Sequence, residues 1–329
     1  MPVMKEFNQP FAKLNEYILA SQNILLTTHE KPDGDAIGAL LALAYYFSDL
    51  GKKYHCFSET RVIDPFYFLP GIEKVSQSIP DLKGFDLIIF LDAGDVKRTG
   101  IKDYLPQIER EKTKIVNIDH HLTTSLKAGH FFDLNIVDLE VSSTAEIIYN
   151  FFDFLNIPIN KEKATNLLTG LLTDTGCFSN LGTTVSSFAI AAKLLNKGAN
   201  IKKICDHTLK NKNIVSLKLW GRVLAGLEKN EKTGVVTSVI TLKDVEECGA
   251  DEESTEGISN FLNFLSEARF TLLLKEEKNG QVRGSLRTTR EDVDVSRIAA
   301  RFGGGGHKKA AGFSVKGRLR KTKDGWRIE

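Results

Sequence analysis

Paired cysteines, an apolar leader, a membrane-length hydrophobic run and an excess of one charge are all missing from this chain of 329 residues. Its four cysteines, at 56, 177, 205 and 248, form no CxxC pair. Such scatter argues for reduced thiols in a cytoplasm and against a zinc ribbon or a disulfide framework. The longest apolar stretch, AIGALLALAYYF, falls short of the roughly 20 residues that a membrane helix needs. The opening MPVMKEFNQPF carries no apolar core of a secretion signal. Forty-four basic residues face 42 acidic ones, so bulk charge points to no polyanion partner. No low-complexity segment and no internal repeat is visible. The expectation is a cytoplasmic protein of enzyme size, with no membrane role, and too long for one core, so built from two domains.

What is present alternates. NILLTTH, KKYHCFS, FDLIIFLDAGD and KTKIVNIDHH read as strands. DAIGALLALAYYFSDLG has helical apolar spacing, an Asp to cap it and a Gly to end it. Runs that are apolar on both faces suit parallel strands covered by helices, which makes the first part an α/β fold. Helical patterns follow in SSTAEIIYNFFDFL, KATNLLTGLLTDTG, VSSFAIAAKLLNKG and a run over 201–227. From about Gly234 the pattern changes to GVVTSVI, RFTLLLKEE and QVRGSLRTT, read as antiparallel strands with turns. The domain boundaries expected are 1–200 for a catalytic domain, 201–230 for a helical connector and 231–329 for a smaller α+β domain.

In open α/β sheets, ligands bind beyond the carboxyl ends of the strands. Three strands deliver polar residues to that edge: His29, Asp33 and Asp35 after the first, Asp92 after LIIFL, and Asp119, His120 and His121 after KIVN. Asp174 adds a carboxylate within the apolar helix NLLTGLLTDTG, where the neighbouring Thr and Gly suggest a close approach. Each piece alone has a plain structural alternative. Asp35 reads equally as a helix cap, Asp92 as a strand-end cap, and Asp95 as solvated. Together, His29, Asp33, Asp35, Asp92, His120 and Asp174 offer four carboxylates and two imidazoles. Four converging anions repel one another unless compensated, and two divalent cations would cancel them. The mixed oxygen and nitrogen donors suit manganese or a similar ion better than a structural zinc. Asp92 and Asp174 are the candidates for a shared carboxylate, Asp119 for an acid that orients an imidazole, and His121 for a group facing substrate.

The segments HEKPDGDAIG, LDAGD, NIDHH and LLTDTG, in that order, resemble the motifs of the DHH phosphoesterase family, named for the triplet standing here at 119–121. FGGGGHKKAAGF (302–313) resembles the glycine-rich signature of the DHH-associated C-terminal domain. The resemblance spans nearly the whole chain. It implies a doubly wound, mostly parallel N-terminal lobe with two manganese ions (magnesium or cobalt as alternatives), a smaller C-terminal lobe for substrate, and a cleft between them. It assigns His29 and Asp33 to one ion and Asp35 and His120 to the other, with Asp92 and Asp174 shared or nearly so. Its shortest branch, which this chain resembles most, hydrolyses short oligoribonucleotides and 3′-phosphoadenosine 5′-phosphate (pAp). A phosphodiesterase for cyclic di-AMP or its linear product is the alternative enzyme, and a non-catalytic nucleotide-binding protein the alternative class. A homodimer is left open. For substrate, the candidates are Arg98, Ser285, Arg287, Gly303, Gly304, Gly305, Gly306 and His307, with Lys308 or Lys309 adding charge. Glycines would let backbone N–H groups approach an anion or base, and an arginine grips phosphate in bidentate fashion. The basic tail KGRLRKTKDGWR reads as a solvated edge strand.

Overall fold

The structure, a computed structural model, describes residues 7–121, 131–180, 182–208, 210, 212–251, 253–306, 308–322 and 325–329. The chain divides into two compact units, Met1–Asn211 and Lys212–Glu329.

In the first unit, short apolar runs become β1 (Asn23–Thr27), β2 (Lys53–Phe57), β3 (Val75–Ser76), β4 (Leu87–Leu91), β5 (Lys114–Asp119) and β6 (Leu134–Val137). All pair in parallel, in the order β3-β2-β1-β4-β5-β6. The strand order reverses between β1 and β4, the doubly wound arrangement whose switch point opens a crevice at the strands' carboxyl ends. Side chains alternate with the period of two. Ile24, Leu26, Ile89 and Leu91 face a core shared with the helices, whereas Leu25, Ile88 and Phe90 face a second core closed by Phe57, Leu82, Phe85 and Ile108. The helices are α1 (Asn8–Ala20), α2 (Gly34–Asp49), α3 (Thr144–Phe154), α4 (Lys161–Asp174), α5 (Val185–Asn196) and α6 (Ile201–Thr208). The sequence reading does not anticipate α1, β3 or β6. Pro10 near the start of α1 looks like a breaker but sits in the first turn, where a missing N–H does no harm. The two short strands are too brief to display a period.

One helix pair sets the position of the polar residues. Helix α2 is apolar on nearly every side and buried along most of its length, and it packs against α4 at backbone distance. A Cβ on Gly38 would collide with the main-chain oxygen of Asn166, and one on Gly170 would stand 2.7 Å from both the Asp35 carboxylate and the Cβ of Ala145. The close approach anticipated around Asp174 is therefore that of α4 to the start of α2. At the far end of the pair, the buried ammonium of Lys163 is held by Asp49 and by the carbonyl of Pro158 (2.7 Å).

The second unit contains α7 (Ile214–Ala225), β7 (Glu228–Asn230), β8 (Val235–Ile240), α8 (Leu242–Cys248), α9 (Ile258–Phe261), β9 (Phe270–Glu276), β10 (Gln281–Arg287), α10 (Val295–Ala300), β11 (Gly305–Gly306), β12 (Ala310–Lys316), β13 (Leu319–Thr322) and β14 (Gly325–Ile328). Its main sheet runs β11-β12-β10-β9-β8-β7. The expectation of antiparallel strands is corrected at one pairing. β8 and β9 are parallel, because the 29 residues separating their Cα partners at Val235–Ile240 and Phe270–Lys275 hold α8 and α9 and allow a crossover. The basic tail forms not an edge of this sheet but its own antiparallel hairpin, β13–β14.

Two glycines predict opposite outcomes. Gly38→Ala forces α2 off α4 and is expected to destabilise by about 1–3 kcal/mol. Gly221, inside α7 with open space at its Cβ position, should gain about 1 kcal/mol on substitution by Ala. Urea unfolding checks both: the first lowers and the second raises the midpoint for its own unit. A neutral Gly38→Ala would show that the helices part without cost.

Candidate metal centre

The carboxyl edge of the first sheet gathers the polar residues from five segments. His29 lies two residues beyond β1, Asp92 directly beyond β4, and Asp119 ends β5 with His120 and His121 following it. Asp174 is the last residue of α4. Asp33, not Asp35, caps α2: its Oδ1 accepts from the amides of Asp35 and Ala36, both at 3.0 Å. Asp35 is thereby free of capping and turned inward, fully buried. Asp95 also caps, accepting from the Lys97 amide at 2.9 Å at the start of a 3₁₀ turn, and is half-buried rather than solvated.

Among the described residues, three groups offer donor atoms within 4.8 Å of one another: His29, Asp33 and Asp92; Asp35, His120 and Asp174; and Asp92, His120 and His121. Asp92 belongs to two of these groups. Its Oδ2 is 3.8 Å from His29 Nε2, and its Oδ1 is 3.7 Å from His120 Nε2 and 3.1 Å from His121 Nδ1. His120 Nε2 is also 3.3 Å from Asp174 Oδ2 and 4.0 Å from Asp35 Oδ2. His29 has its Nδ1 within 2.6 Å of the Glu30 carbonyl, which leaves Nε2 as the nitrogen with a lone pair for the interior.

The electrostatics of this cluster favour a cation. Burial, and then the charges of Asp92, Asp174 and Asp33, push Asp35 well above the usual carboxylate range. Burial together with Asp33 and Asp92 does the same to Asp174. Two like charges 4 Å apart repel by about 4 kcal/mol at an effective dielectric near 20. Burial lowers His120 below its ordinary value, against the pull of Asp92. Its Nε2, buried and without a hydrogen-bond partner, lies 3.3 to 4.0 Å from oxygens of Asp174, Asp92 and Asp35, an unsatisfied polar atom among crowded carboxylates. A divalent ion resolves that conflict, and the donor set of carboxylates and imidazoles fits one. Asp92 differs: burial would raise it, but the hydrogen bond from His121 and the charges of His121, His120 and His29 bring it below its usual value.

Asp119 does not join these groups. Its Oδ1 accepts from the backbone N–H (2.9 Å) and ring Nδ1 (3.0 Å) of His121, and its Oδ2 from the Gly94 amide (2.7 Å). Burial alone would depress His121, but hydrogen bonds to Asp119 and Asp92 and their charges push it up to about 11. Arg98, exposed, lies along the same loop: a Cβ on Gly94 would stand 3.1 Å from its Nη1.

The start of α3 is a part of the site that sequence reasoning missed. The amides of Thr144 and Ala145 donate to the two oxygens of Asp35, at 2.6 and 2.8 Å, and Thr144 Oγ1 donates to Asp92 Oδ1 at 3.1 Å. A helix N-terminus is where an anion is favoured. The signal was available in Ser143-Thr-Ala-Glu146, a helix-start signature whose Ser143 hydroxyl accepts from the Glu146 amide. What it lacked was the partner, 109 residues away. Backbone strain is a second signal. Of the five non-glycine residues with positive φ among the described residues, Lys31, Asp92, Cys177 and Phe178 adjoin or belong to the candidate segments, and Asn156 lies elsewhere. Such strain, of order 1–3 kcal/mol per residue, collects at functional sites.

In the second unit, Ser285 and Arg287 share one face of β10, both half-buried. Arg287 Nε donates to Asn260 Oδ1 at 3.0 Å, and burial, then the charge of Arg283, lower its guanidinium from the ordinary value. The four glycines divide by function. Gly303 takes φ 74, while a Cβ on Gly304 or Gly306 would collide with β12, so packing claims both. Gly305, exposed on the edge strand β11, has open space around it. Lys309 Nζ is 3.2 Å from Glu291, and Lys308 is exposed. His307 lies outside the described residues.

Thr144→Val, isosteric but unable to donate, should weaken divalent-ion binding by roughly tenfold or more, the usual cost of losing an outer hydrogen bond to a ligand, while Thr144→Ser keeps it. Calorimetric titration separates the two, and equal affinities would remove Thr144 from the site. In the metal-free protein, NMR titration of His121 should find the ring still protonated at pH 9, and Asp119→Asn should bring its titration down toward the ordinary histidine range. A ring already neutral at pH 7 in the unsubstituted protein would contradict the Asp119 contact.

Comparison with known proteins places this geometry. Residues 23–171 match the DHH family, N-terminal domain, and residues 232–324 match the DHHA1 domain. The chain is 32% identical over 298 residues to the bifunctional oligoribonuclease and PAP phosphatase NrnA of Thermus thermophilus, covering 89% of this chain and 84% of that protein. It is 24% identical to the protein of the same name from Bacillus subtilis, covering 89% of each. A crystal structure of an exopolyphosphatase-related protein from Bacteroides fragilis superposes with a TM-score of 0.85 at 25% identity, covering 94% of this chain and 92% of that one. With its motifs, sheet order and relatives in agreement, the chain belongs to the DHH family.

Proposed function

We propose that this protein is a metal-dependent phosphoesterase that hydrolyses very short oligoribonucleotides, and pAp, to mononucleotides. The observation that carries the reading is the position of Asp92, which belongs to two donor groups, its Oδ2 near His29 and its Oδ1 near His120. One carboxylate available to two cations is what two-ion phosphoryl chemistry needs. The names of the relatives from Thermus thermophilus and Bacillus subtilis support the substrate class.

In this reading His29 and Asp33 would hold one ion, Asp35 and His120 the other, and Asp92 and Asp174 would serve both. Manganese suits the mixed donors, and magnesium or cobalt could replace it. When bound, the ions supply Lewis acidity that ionises water near neutral pH and offsets charge on the phosphate. The chain's own residues do the rest. Asp119 fixes the His121 ring through Nδ1 and favours its protonated form, which leaves Nε2 to donate to a phosphate oxygen of the substrate. Arg98 adds a second cation beside the Asp92 loop. The second unit offers Ser285, Arg287 and the open backbone of Gly305 as substrate-binding groups, with Gly303, Gly304, Gly306 and His307 completing that segment.

One panel in manganese buffer tests the proposal: di- and trinucleotide RNAs, a long RNA, pAp, cyclic di-AMP and pyrophosphate. Short RNAs and pAp should be cleaved fastest, chelation should stop turnover, and added manganese should restore it. Preference for cyclic di-AMP would move the protein to the cyclic-dinucleotide phosphodiesterases, and no hydrolysis of any member would make it a binding protein. Asp92→Asn should cost more activity than the roughly 100-fold expected for a lost outer-shell contact. Retained activity would refute the two-ion arrangement.

A further inference from the structure

Cys177 and Cys205 stand 28 residues apart in the chain, yet their sulfurs approach to 3.8 Å. Both belong to the first unit, Cys177 in the turn that leaves α4 and Cys205 in the middle of α6, and both are half-buried. The turn is strained. Gly176, Cys177 and Phe178 take φ of 56, 53 and 65, three successive left-handed residues of which two carry side chains. That conformation costs roughly 1–2 kcal/mol for each non-glycine residue. Hydrogen bonds hold it in place: the Cys177 amide donates to the Leu172 carbonyl (2.8 Å), the Phe178 amide to Thr175 Oγ1 (3.1 Å), and the Asn180 amide to the Thr175 carbonyl (2.9 Å). Asn180 Nδ2 also donates to the main-chain oxygen of Asp174 at 2.9 Å, tying the turn to that residue. The Phe178 ring stacks on Phe188 of α5 with centroids 4.4 Å apart. On the other side, α6 is anchored by the fully buried Ile204, next to Cys205.

We propose that Cys177 and Cys205 form a dithiol modification site that a small-molecule disulfide oxidises to an intramolecular disulfide, and that the closed form displaces Asp174. The displacement rests on the reading of Asp174 as a metal ligand; the dithiol site does not. Cys205, as thiolate, attacks one sulfur of the oxidant and releases its first thiolate. Cys177 then loses its proton and attacks the Cys205 sulfur, expelling the second thiolate. Two protein thiols are oxidised, and one small disulfide is reduced to two thiols. Burial and then the neighbouring Cys205 push the Cys177 thiol up to about 11, which suits it to the second, intramolecular step, where proximity compensates for a scarce thiolate. A disulfide requires sulfurs about 2 Å apart, so the present 3.8 Å must close. With α6 anchored, the strained turn is the side that yields, and it pulls on Asp174. Functional side chains tolerate misplacement of only about 0.5 Å.

The test equilibrates the full chain with mixtures of oxidised and reduced glutathione, counts free thiols, and maps cross-links by non-reducing digestion and mass spectrometry. Calorimetry then measures manganese binding to reduced, oxidised and Cys205→Ser protein. Expected are the loss of two of the four thiols, a Cys177–Cys205 cross-linked peptide, and manganese binding weaker by roughly tenfold that dithiothreitol reverses. Cys205→Ser should bind manganese normally before and after oxidant treatment. Glutathione adducts on separate cysteines with no cross-link would overturn the dithiol site. A cross-link with unchanged manganese affinity would overturn the displacement. If the reduced protein bound no manganese, the metal-centre reading would fail, and the cross-link alone would still decide the dithiol site.

Discussion

Asp35, Asp92 and Asp174 each bring a carboxylate oxygen within 4.0 Å of His120 Nε2, the first two of them buried, with Asp33 exposed at the margin of the cluster. Left to themselves these groups would take up protons or push the surrounding elements apart. The fold answers in two ways. Fixed dipoles and hydroxyls meet part of the charge: two amides at the start of α3 on Asp35, the Thr144 hydroxyl on Asp92, and the His121 ring across Asp92 and Asp119. The remainder, including the unsatisfied Nε2 of His120, waits for positive charge from outside the chain.

That crowding is enforced by backbone contact. Gly38 and Gly170 let α2 and α4 touch where any side chain would hold them apart, and the space over Gly170 is filled by the Asp35 carboxylate. The left-handed turns at Lys31, Asp92, Cys177 and Phe178 serve the same end. Each bends the chain sharply beside a candidate ligand, and the well-packed sheet and helices bear the strain.

How much of this was legible in the sequence depended on distance along the chain. The strand ends at His29, Asp92 and Asp119 were legible, because a buried parallel strand shows itself as a continuous apolar run and its polar terminus stands out. The role of Asp33 as cap was not distinguishable from that of Asp35, since both precede the same helix by spacing that either could satisfy. Thr144 was hidden for a different reason: it acts on Asp35 and Asp92, 109 and 52 residues away, and nothing local records such a meeting. The parallel pairing of β8 with β9 was missed because apolar alternation states that a strand exists and not which way its neighbour runs. The glycines at 303–306 were read as one unit, whereas packing separates Gly304 and Gly306 from the open Gly305.

The candidate ligands run from His29 to Asp174, so only a fragment spanning residues 29–174, about two thirds of the first unit, contains them all. A nascent chain therefore carries only isolated acids and imidazoles, each too weak alone to retain an ion. Capture of an ion by these residues would come after β1, β4, β5 and α4 have docked, as a late seal on assembly. The ion would then stabilise the finished unit by mass action, rising with the logarithm of its concentration over its dissociation constant. Metal supply would thus set the lifetime of the folded protein as well as its activity.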